Sequence, residues 1–478
     1  MRESSPPARG DGSEVDLTVD PACPAWAKRA ERRSGGTLAG VTLAEWRSRT
    51  RRGLGLEAER TLIATGHQTL LWHPGILVKY LLADAVATQH GFAQAHLVVD
   101  QHAGDFGGLD VPVTNPRGGG GLAVRRVTFT RPRAGVPMGH HPAFTPLPLP
   151  RGLSAASPSV ASGVTRIHAA VDSARDSRDA AMQMASALET LMRPWLGARP
   201  AVTATQLGQT ELARTLLSEM TRDPWACAAA YNEAVREHPE GGIRPLLVRD
   251  DYVELPLWRI DANDRRIRAY DSDVERWQET GAPTLMPRAL FMTALLRLGM
   301  CDLFVHGTGG ALYDQAMERW LDRWLGLTPA PVVVATANMR LPFDAGSDQD
   351  PPNVPAAVAA AHRHWHDPEP GSMRPGPVKA KLLAAVAATE RRTPARRAAF
   401  RRLHETLAEL RAKHADALTR SAARATTAKR TEADLVIAAR RDWAFPLYPP
   451  EMIDALAAEV RRRVEVDVDE TCQASCSV

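Results

Sequence analysis

The stretch Thr61-Leu-Ile-Ala-Thr-Gly-His-Gln-Thr-Leu-Leu-Trp-His-Pro-Gly-Ile-Leu-Val-Lys79 decides how this chain is read. It predicts a short buried strand, Leu62-Ile63-Ala64, a sharp turn at Thr65-Gly66, two histidines, and a helix reaching about Val86. A strand that ends in a small-residue turn and opens a helix presents backbone N–H groups at the carboxyl edge of a parallel sheet. Open α/β proteins bind ligands in that crevice. Imidazoles have no packing reason to gather there, so His67 and His73 point to a site. The competing reading is that Gly66 and Gly75 only turn the chain and both histidines lie on the surface.

Outward from this segment, further strands are expected at His96–Asp100, Ala123–Thr130, Pro245–Val248, Asp302–His306 and Val332–Ala335. Several are continuous apolar runs, as strands buried on both faces of a parallel sheet require. Helices are expected at Ile76–Gln89, Ser173–Trp195, Gln209–Met220, Trp225–His238, Ala289–Leu298 and Leu312–Leu325. The alternation predicts an α/β fold: a Rossmann-like, doubly wound parallel sheet with helical insertions. Val253–Ile260 and Arg266–Tyr270 flank an Asn263-Asp264 turn and read as an inserted hairpin. Asn115–Gly121 and the proline-rich Arg131–Ser159 read as surface or lid segments.

At 478 residues the chain exceeds a single core, and two or three domains are expected. Residues 1–20 are polar with no apolar run, which predicts a disordered N-terminus rather than a signal peptide. Residues 21–345 form the α/β core, and 346–376 a Pro- and His-rich linker carrying His362, His364 and His366. Residues 377–440 place Phe400, Leu403, Leu407, Leu410 and Ala417 at three- and four-residue steps. That spacing predicts a helical hairpin or coiled-coil arm, interrupted at Pro394, through which a homodimer would form. The alternative is an arm folded back on its own body. Residues 441–478 carry Trp443, Phe445 and Tyr448 in a proline-rich run expected to dock on the core.

The net charge of +4 is small for this length and arginine is scattered among acids, so nucleic-acid binding is not indicated. The five cysteines, Cys23, Cys227, Cys301, Cys472 and Cys476, form no CxxC pair. Reduced thiols in a cytoplasmic protein are the simplest account, with an inter-chain disulfide through the last two as the alternative. No apolar run is long enough to cross a bilayer, so no membrane partner is expected.

A second strand–turn–helix lies at Leu303-Phe-Val-His-Gly-Thr-Gly-Gly-Ala-Leu-Tyr-Asp314. Gly307, Gly309 and Gly310 would admit a ligand close to the backbone, and Thr308 is a candidate helix cap. Neither loop carries the Walker lysine. Between them, Val98–Phe106 ends a predicted strand with Asp100, His102 and Asp105, a set suited to acid–base chemistry or metal binding. Taken singly, each acid also reads as a cap or turn residue.

These motifs, in this order, resemble the cysteine-adding enzyme family of bacillithiol biosynthesis. That family has a Thr-Gly-Gln-Gln turn, a Thr-Gly-Pro helix start, a Glu-Asp-His-Asp-Phe cluster, an Arg-Pro pair and a Gly-Gly-Pro-Gly-Glu loop with a tyrosine. Thr65-Gly66-His67-Gln68, His73-Pro74-Gly75, Asp105-Phe106, Arg288, and Gly307-Thr308-Gly309-Gly310 with Tyr313 stand on them over roughly residues 60–345. The resemblance implies a ligase joining the carboxyl group of cysteine to an amine-bearing small molecule, and a coiled-coil dimerisation arm. It implies substrate or nucleotide contacts at Thr65, Gly66, Gln68, His73, Gly307, Thr308, Gly309, Gly310 and Tyr313, with ATP as candidate nucleotide. It also implies catalytic roles for His67, His102, Asp105 and Arg288, with Asp105 or His102 as base and Arg288 pairing an anion.

The chain also departs from that family. Ala103 and Gly104 stand where the acidic cluster has acid and imidazole, and Gly310 stands where the last loop has glutamate. Lys79 sits two residues early, which turns it about 200° round its helix. In exchange, His67, His73 and His102 appear, and with Asp100 or Asp105 they make a candidate Zn²⁺ site. Three functional classes follow: the ligase, a non-catalytic small-molecule or nucleotide-binding homologue, and a nucleotidyl- or phosphoryl-transfer enzyme.

Overall fold

The computed structural model describes residues 15–31, 35–115, 121–282, 284–343, 352–369 and 375–475. The chain divides into two compact units. The first comprises residues up to Val111, Arg125–Leu341, and the segment from Arg441 onward; the second comprises Pro112–Val124 and Pro342–Arg440.

The first unit is mixed α/β, organised on one six-stranded sheet. Its strands are β1 (Asp16–Asp20), β2 (Leu62–His67), β3 (Ala93–Val98), β4 (Ala201–Thr203), β5 (Leu303–His306) and β6 (Val332–Asn338). Across the sheet the order is β1-β6-β5-β2-β3-β4. All neighbours are parallel except β1, which pairs antiparallel with β6 from Asp16↔Asn338 to Asp20↔Val334. From β2 the chain builds outward through β3 and β4; it then returns to the other side of β2 and builds outward through β5 and β6. The β2–β5 boundary is therefore where the winding direction reverses, and the two helices that follow these strands diverge there.

Alternation along the strands explains the layers. Leu62, Ala64, Ala95, Leu97 and Phe304 share one continuous core with Trp46, Leu216, Phe291 and Trp320 from helices over that face. Burying each such large apolar side chain contributes about 1.5–3 kcal/mol. On the opposite face, helix α1 (Pro74–His90) lays Tyr80 edge-on to His96, with ring centroids 6.2 Å apart. Helix α1 is buried on nearly every side and ends at Gly91, whose φ of 66° is a left-handed cap. A smaller antiparallel sheet joins Glu254–Ile260, Arg266–Tyr270 and Leu285–Pro287. Its turn contains Asp264 at φ 61°.

Several expectations are corrected. Asp16–Asp20, assigned to a disordered terminus, is the edge strand of the main sheet; residues 1–14 lie outside the described residues. The strand expected at His96–Asp100 is Ala93–Val98, so the chain has left the sheet before Asp100. The strand expected at Pro245–Val248 is reduced to a single bridge, Val248↔Val253. The single helix expected at Ser173–Trp195 is two, Pro158–Ser173 and Ala180–Met192, and Asp179 caps the second by accepting from Met182 N–H. The proline-rich Arg131–Ser159 runs over the surface, as expected, but is anchored at Met138 and Gly139. Met138 is buried, and its N–H and that of Gly139 donate to the carbonyls of His102 and Asp100.

In the second unit, Val354–His366 is a helix, not a linker. It packs on Ala415–Ala438, where His364 Nδ1 lies 2.9 Å from Ser421 Oγ. Pro377–Ala387 and Pro394–Lys413 bury Val386, Leu403 and Leu407 together. Among the described residues the arm is thus three helices rather than one hairpin, and Val354–His366 adds a fourth to the unit. The Asn115–Gly121 loop falls at the tip of the hairpin Gly108–Asn115/Gly121–Thr128, and its residues 116–120 lie outside the described residues. No helix among the described residues is long and apolar enough to cross a membrane.

Candidate functional site

At the β2–β5 boundary, beyond the carboxyl ends of both strands, lies a cavity of about 260 Å³. Gly66, His67 and Gln68 supply one wall, and His73, Gly75 and Lys79 come from the start of α1. His306 ends β5 and Gly307–Gly310 follow it, with Tyr313 one turn into helix α2 (Thr308–Leu325). Thr293, Thr336 and Arg441 complete the polar lining.

Local sequence explains the geometry. His73 is the N-cap of α1: its Nδ1 accepts from Gly75 N–H at 3.1 Å, and Pro74 takes the first helical position, where no donor is needed. Gly75 lets this turn reach the end of β6, since a Cβ there would lie 2.8 Å from the Ala337 carbonyl oxygen. Helix α2 begins earlier than expected. Thr308 is its first residue rather than its cap, Gly307 occupies the N-cap, and Gly309 and Gly310 are helical. The amides of Thr308 and Gly309 therefore precede any carbonyl of their own helix that could accept from them.

The backbone also fixes the imidazoles. His67 Nδ1 lies 3.2 Å from the Gln68 carbonyl, which can only accept, so the ring proton is on Nδ1 and Nε2 keeps its lone pair. His306 is opposite: Nδ1 accepts from Gly307 N–H at 3.0 Å, so Nε2–H donates to Tyr313 Oη at 3.0 Å. Burial, and secondarily Lys79, pushes His67 down to about 3. Burial, followed by Arg441, takes His73 to about 4, and His306 is held well below its ordinary value, again by burial first. All three are neutral at pH 7.

Lys79 is 1% exposed, and its Nζ donates to the Gly66 carbonyl at 3.1 Å. Burial lowers it to about 7. The two-residue offset that should have turned it away is absorbed by where the helix starts, and Lys79 lines the cavity. No acidic side chain does so among the described residues. The site is a neutral-to-positive recess suited to an anion.

Of the residues expected here, Gly66, His67, Gln68, His73, Gly307, Thr308, Gly309, Gly310 and Tyr313 do come together. Thr65 does not: its side chain is buried behind the strand beside the Tyr80 hydroxyl. Asp105 is an exposed turn residue that accepts from Gly107 N–H and pairs with Arg126 at 2.5 Å. Asp100 is buried, where it accepts from Thr205 N–H at 3.1 Å. Both acids thus behave as cap or turn residues. Arg288 pairs with buried Glu254 at 2.5 Å and lies over the Trp258 ring at 4.6 Å, outside the cavity lining. His102 is outside it as well, although near enough to His67 to disfavour its charge. Among the described residues no group of three or more His, Cys, Asp or Glu side chains is arranged to hold a metal, so the candidate zinc set His67, His73, His102 does not converge.

Sequence reasoning missed Lys79, His306, Thr336 and Arg441. Lys79 had a signal: it is the one charge in Ile76-Leu-Val-Lys-Tyr-Leu-Leu-Ala83, an apolar helix of a chain with only six lysines. No family model matches this chain, and no curated protein matches it.

Proposed function

We propose that this protein is an enzyme that binds a small anionic metabolite at the β2–β5 crevice and forms a carbon–nitrogen bond there. The observation that carries the reading is the convergence of a buried lysine, an arginine and the first amides of α2 on a cavity with no acidic lining. We read the sheet as Rossmann-like and doubly wound, in which the winding reversal is the expected ligand position. The resemblance to the cysteine-adding family adds the reaction class: the carboxyl group of cysteine joined to an amine-bearing acceptor. In that chemistry the amides of Thr308 and Gly309 and the guanidinium of Arg441 hold the carboxylate. Lys79, poised near neutrality, takes the proton of the incoming ammonium. The Tyr313 hydroxyl, its oxygen held by His306 Nε2–H, offers an uncharged donor for the oxygen that gains charge as the carbonyl is attacked.

On this reading the protein is cytoplasmic, takes cysteine and a small amine, and pairs with a second copy through its arm. The exposed Trp365, Phe400 and Val436 there support that pairing. Incubating the purified protein with cysteine and a panel of amines, with and without ATP, and following products by mass spectrometry tests the reaction. A cysteinyl amide that disappears in Lys79→Met supports it. Turnover of ATP with no cysteinyl product overturns it in favour of phosphoryl transfer.

A further inference from the structure

The lysine lining this cavity is suited to a chemistry beyond the proton transfer that the ligase reading gives it. Lys79 is the only lysine among the buried residues, and the chain has only six lysines in all. Its ammonium would have a single backbone carbonyl as acceptor, no carboxylate among the lining residues, and three imidazoles that are themselves neutral. A buried charge without a counter-charge is costly, and the group responds by giving up its proton. An arginine could not respond in this way, because its guanidinium stays charged in proteins. Near pH 7 a large share of Lys79 is therefore the uncharged amine, next to helix amides and Arg441 suited to a carboxylate.

We infer that Lys79 captures the carbonyl group of a small 2-oxo acid, forming an imine at the base of the cavity. The Nζ lone pair adds to the keto carbon, a C–N bond forms, and the carbonyl π electrons pass to oxygen. That oxygen collects the protons released by nitrogen, and the carbinolamine loses it as water. Amine and ketone give imine and water, with no oxidant or reductant consumed. The substrate carboxylate rests on the Thr308 and Gly309 amides and Arg441, which orients the keto carbon toward Nζ. Tyr313, whose oxygen accepts from His306 Nε2–H at 3.0 Å, lines the same wall and keeps its own hydroxyl proton for the departing oxygen. The inference rests on the crevice being the ligand site and not on amide formation.

The experiment is reductive trapping. The full-length protein is incubated at pH 7 with pyruvate, and separately with glyoxylate, in the presence of borohydride, and then digested and mapped by mass spectrometry. The expected result with pyruvate is Lys79 heavier by one pyruvate less one oxygen atom. Labelling there should exceed that at exposed Lys28 by at least about tenfold, because burial lowers Lys79 to about 7 and the cavity holds the acid beside it. Folded Lys79→Met and Lys79→Arg should lose this adduct, but the wild-type map alone decides the matter if those variants do not fold. If calorimetry detects binding of either acid but Lys79 stays unmodified, the inference is overturned and the anion crevice stands. If neither acid binds and no adduct forms, both are overturned.

Discussion

Gly310 and His306 occupy space that only one side chain can fill. A Cβ on Gly310 would lie 1.5 Å from Cε1 of the His306 ring. The glycine thus leaves room on the helix for the imidazole that the strand carries. Gly310→Ala should expel the His306 ring and break its bonds to Gly307 N–H and Tyr313 Oη. A stability loss of roughly 1–3 kcal/mol is expected by urea denaturation, with ligand affinity falling at least about tenfold. Gly310→Glu should be worse, and a variant with restored affinity would show that the ring is not part of the site.

Lys79 predicts an alkaline gain in stability. Its folded pKa of about 7 lies below the ordinary lysine value of 10.5, so between these limits the unfolded chain holds a proton that the folded chain does not. Stability should rise with pH across that window, by up to about 1.4 kcal/mol per pH unit. Urea midpoints measured from pH 7 to 10 should rise relative to those of Lys79→Met. Equal slopes for the two proteins would mean that the lysine is not suppressed.

The histidines act in the acid range with the same sign. His67 falls from 6.5 to about 3, so below pH 6.5 the unfolded chain takes up a proton that the folded chain refuses, and stability falls as pH drops. His67→Gln should flatten the pH 4–6.5 stability profile by up to about 1.4 kcal/mol per pH unit.

His73→Ala and His73→Asn separate capping from chemistry. Alanine should cost about 1 kcal/mol through loss of the cap to Gly75 N–H, whereas asparagine keeps an acceptor and most of that stability. If activity falls at least about tenfold in both, the imidazole has a role in the cavity beyond capping. Activity that follows stability alone would reduce His73 to a cap.

Arg288 provides the contrast. Removing it leaves Glu254, 2% exposed, without its closest ion-pair partner, and Arg288→Ala should cost about 3–5 kcal/mol in denaturation experiments. Ligand affinity measured on the folded protein should stay within about twofold of wild type. A selective loss of affinity would return Arg288 to the site.

Much of this arrangement was legible, and the failures have physical causes. Leu62–Ala64 and Leu303–Val305 could be read because a strand buried on both faces leaves a continuous apolar run. Asp16–Asp20 could not, since an edge strand has polar alternation and its partner, Val334–Asn338, lies some 300 residues away. Asp105 was misplaced because the strand before it ends at Val98, and the intervening residues suffice to carry it out of the crevice. Lys79 was misjudged by register: the offset was counted against another family's helix start, whereas its direction depends on where His73 caps this one. Val354–His366 was hidden by flanking prolines and alternating histidines that suit a helix start and end as well as a linker.

The C-terminal segment has a consequence for how the molecule is made. Phe445 N–H donates to the Trp72 carbonyl at 2.7 Å, within the loop joining His67 to His73, and Tyr448 Oη donates to the Met339 carbonyl. Arg441, just before them, lines the cavity. A chain emerging from the ribosome has both histidine-bearing loops long before these residues exist. The recess stays open on that side throughout synthesis of the four helices that precede Arg441. The wall that Arg441 contributes is thus the last part of the recess to be made, after every strand of the sheet.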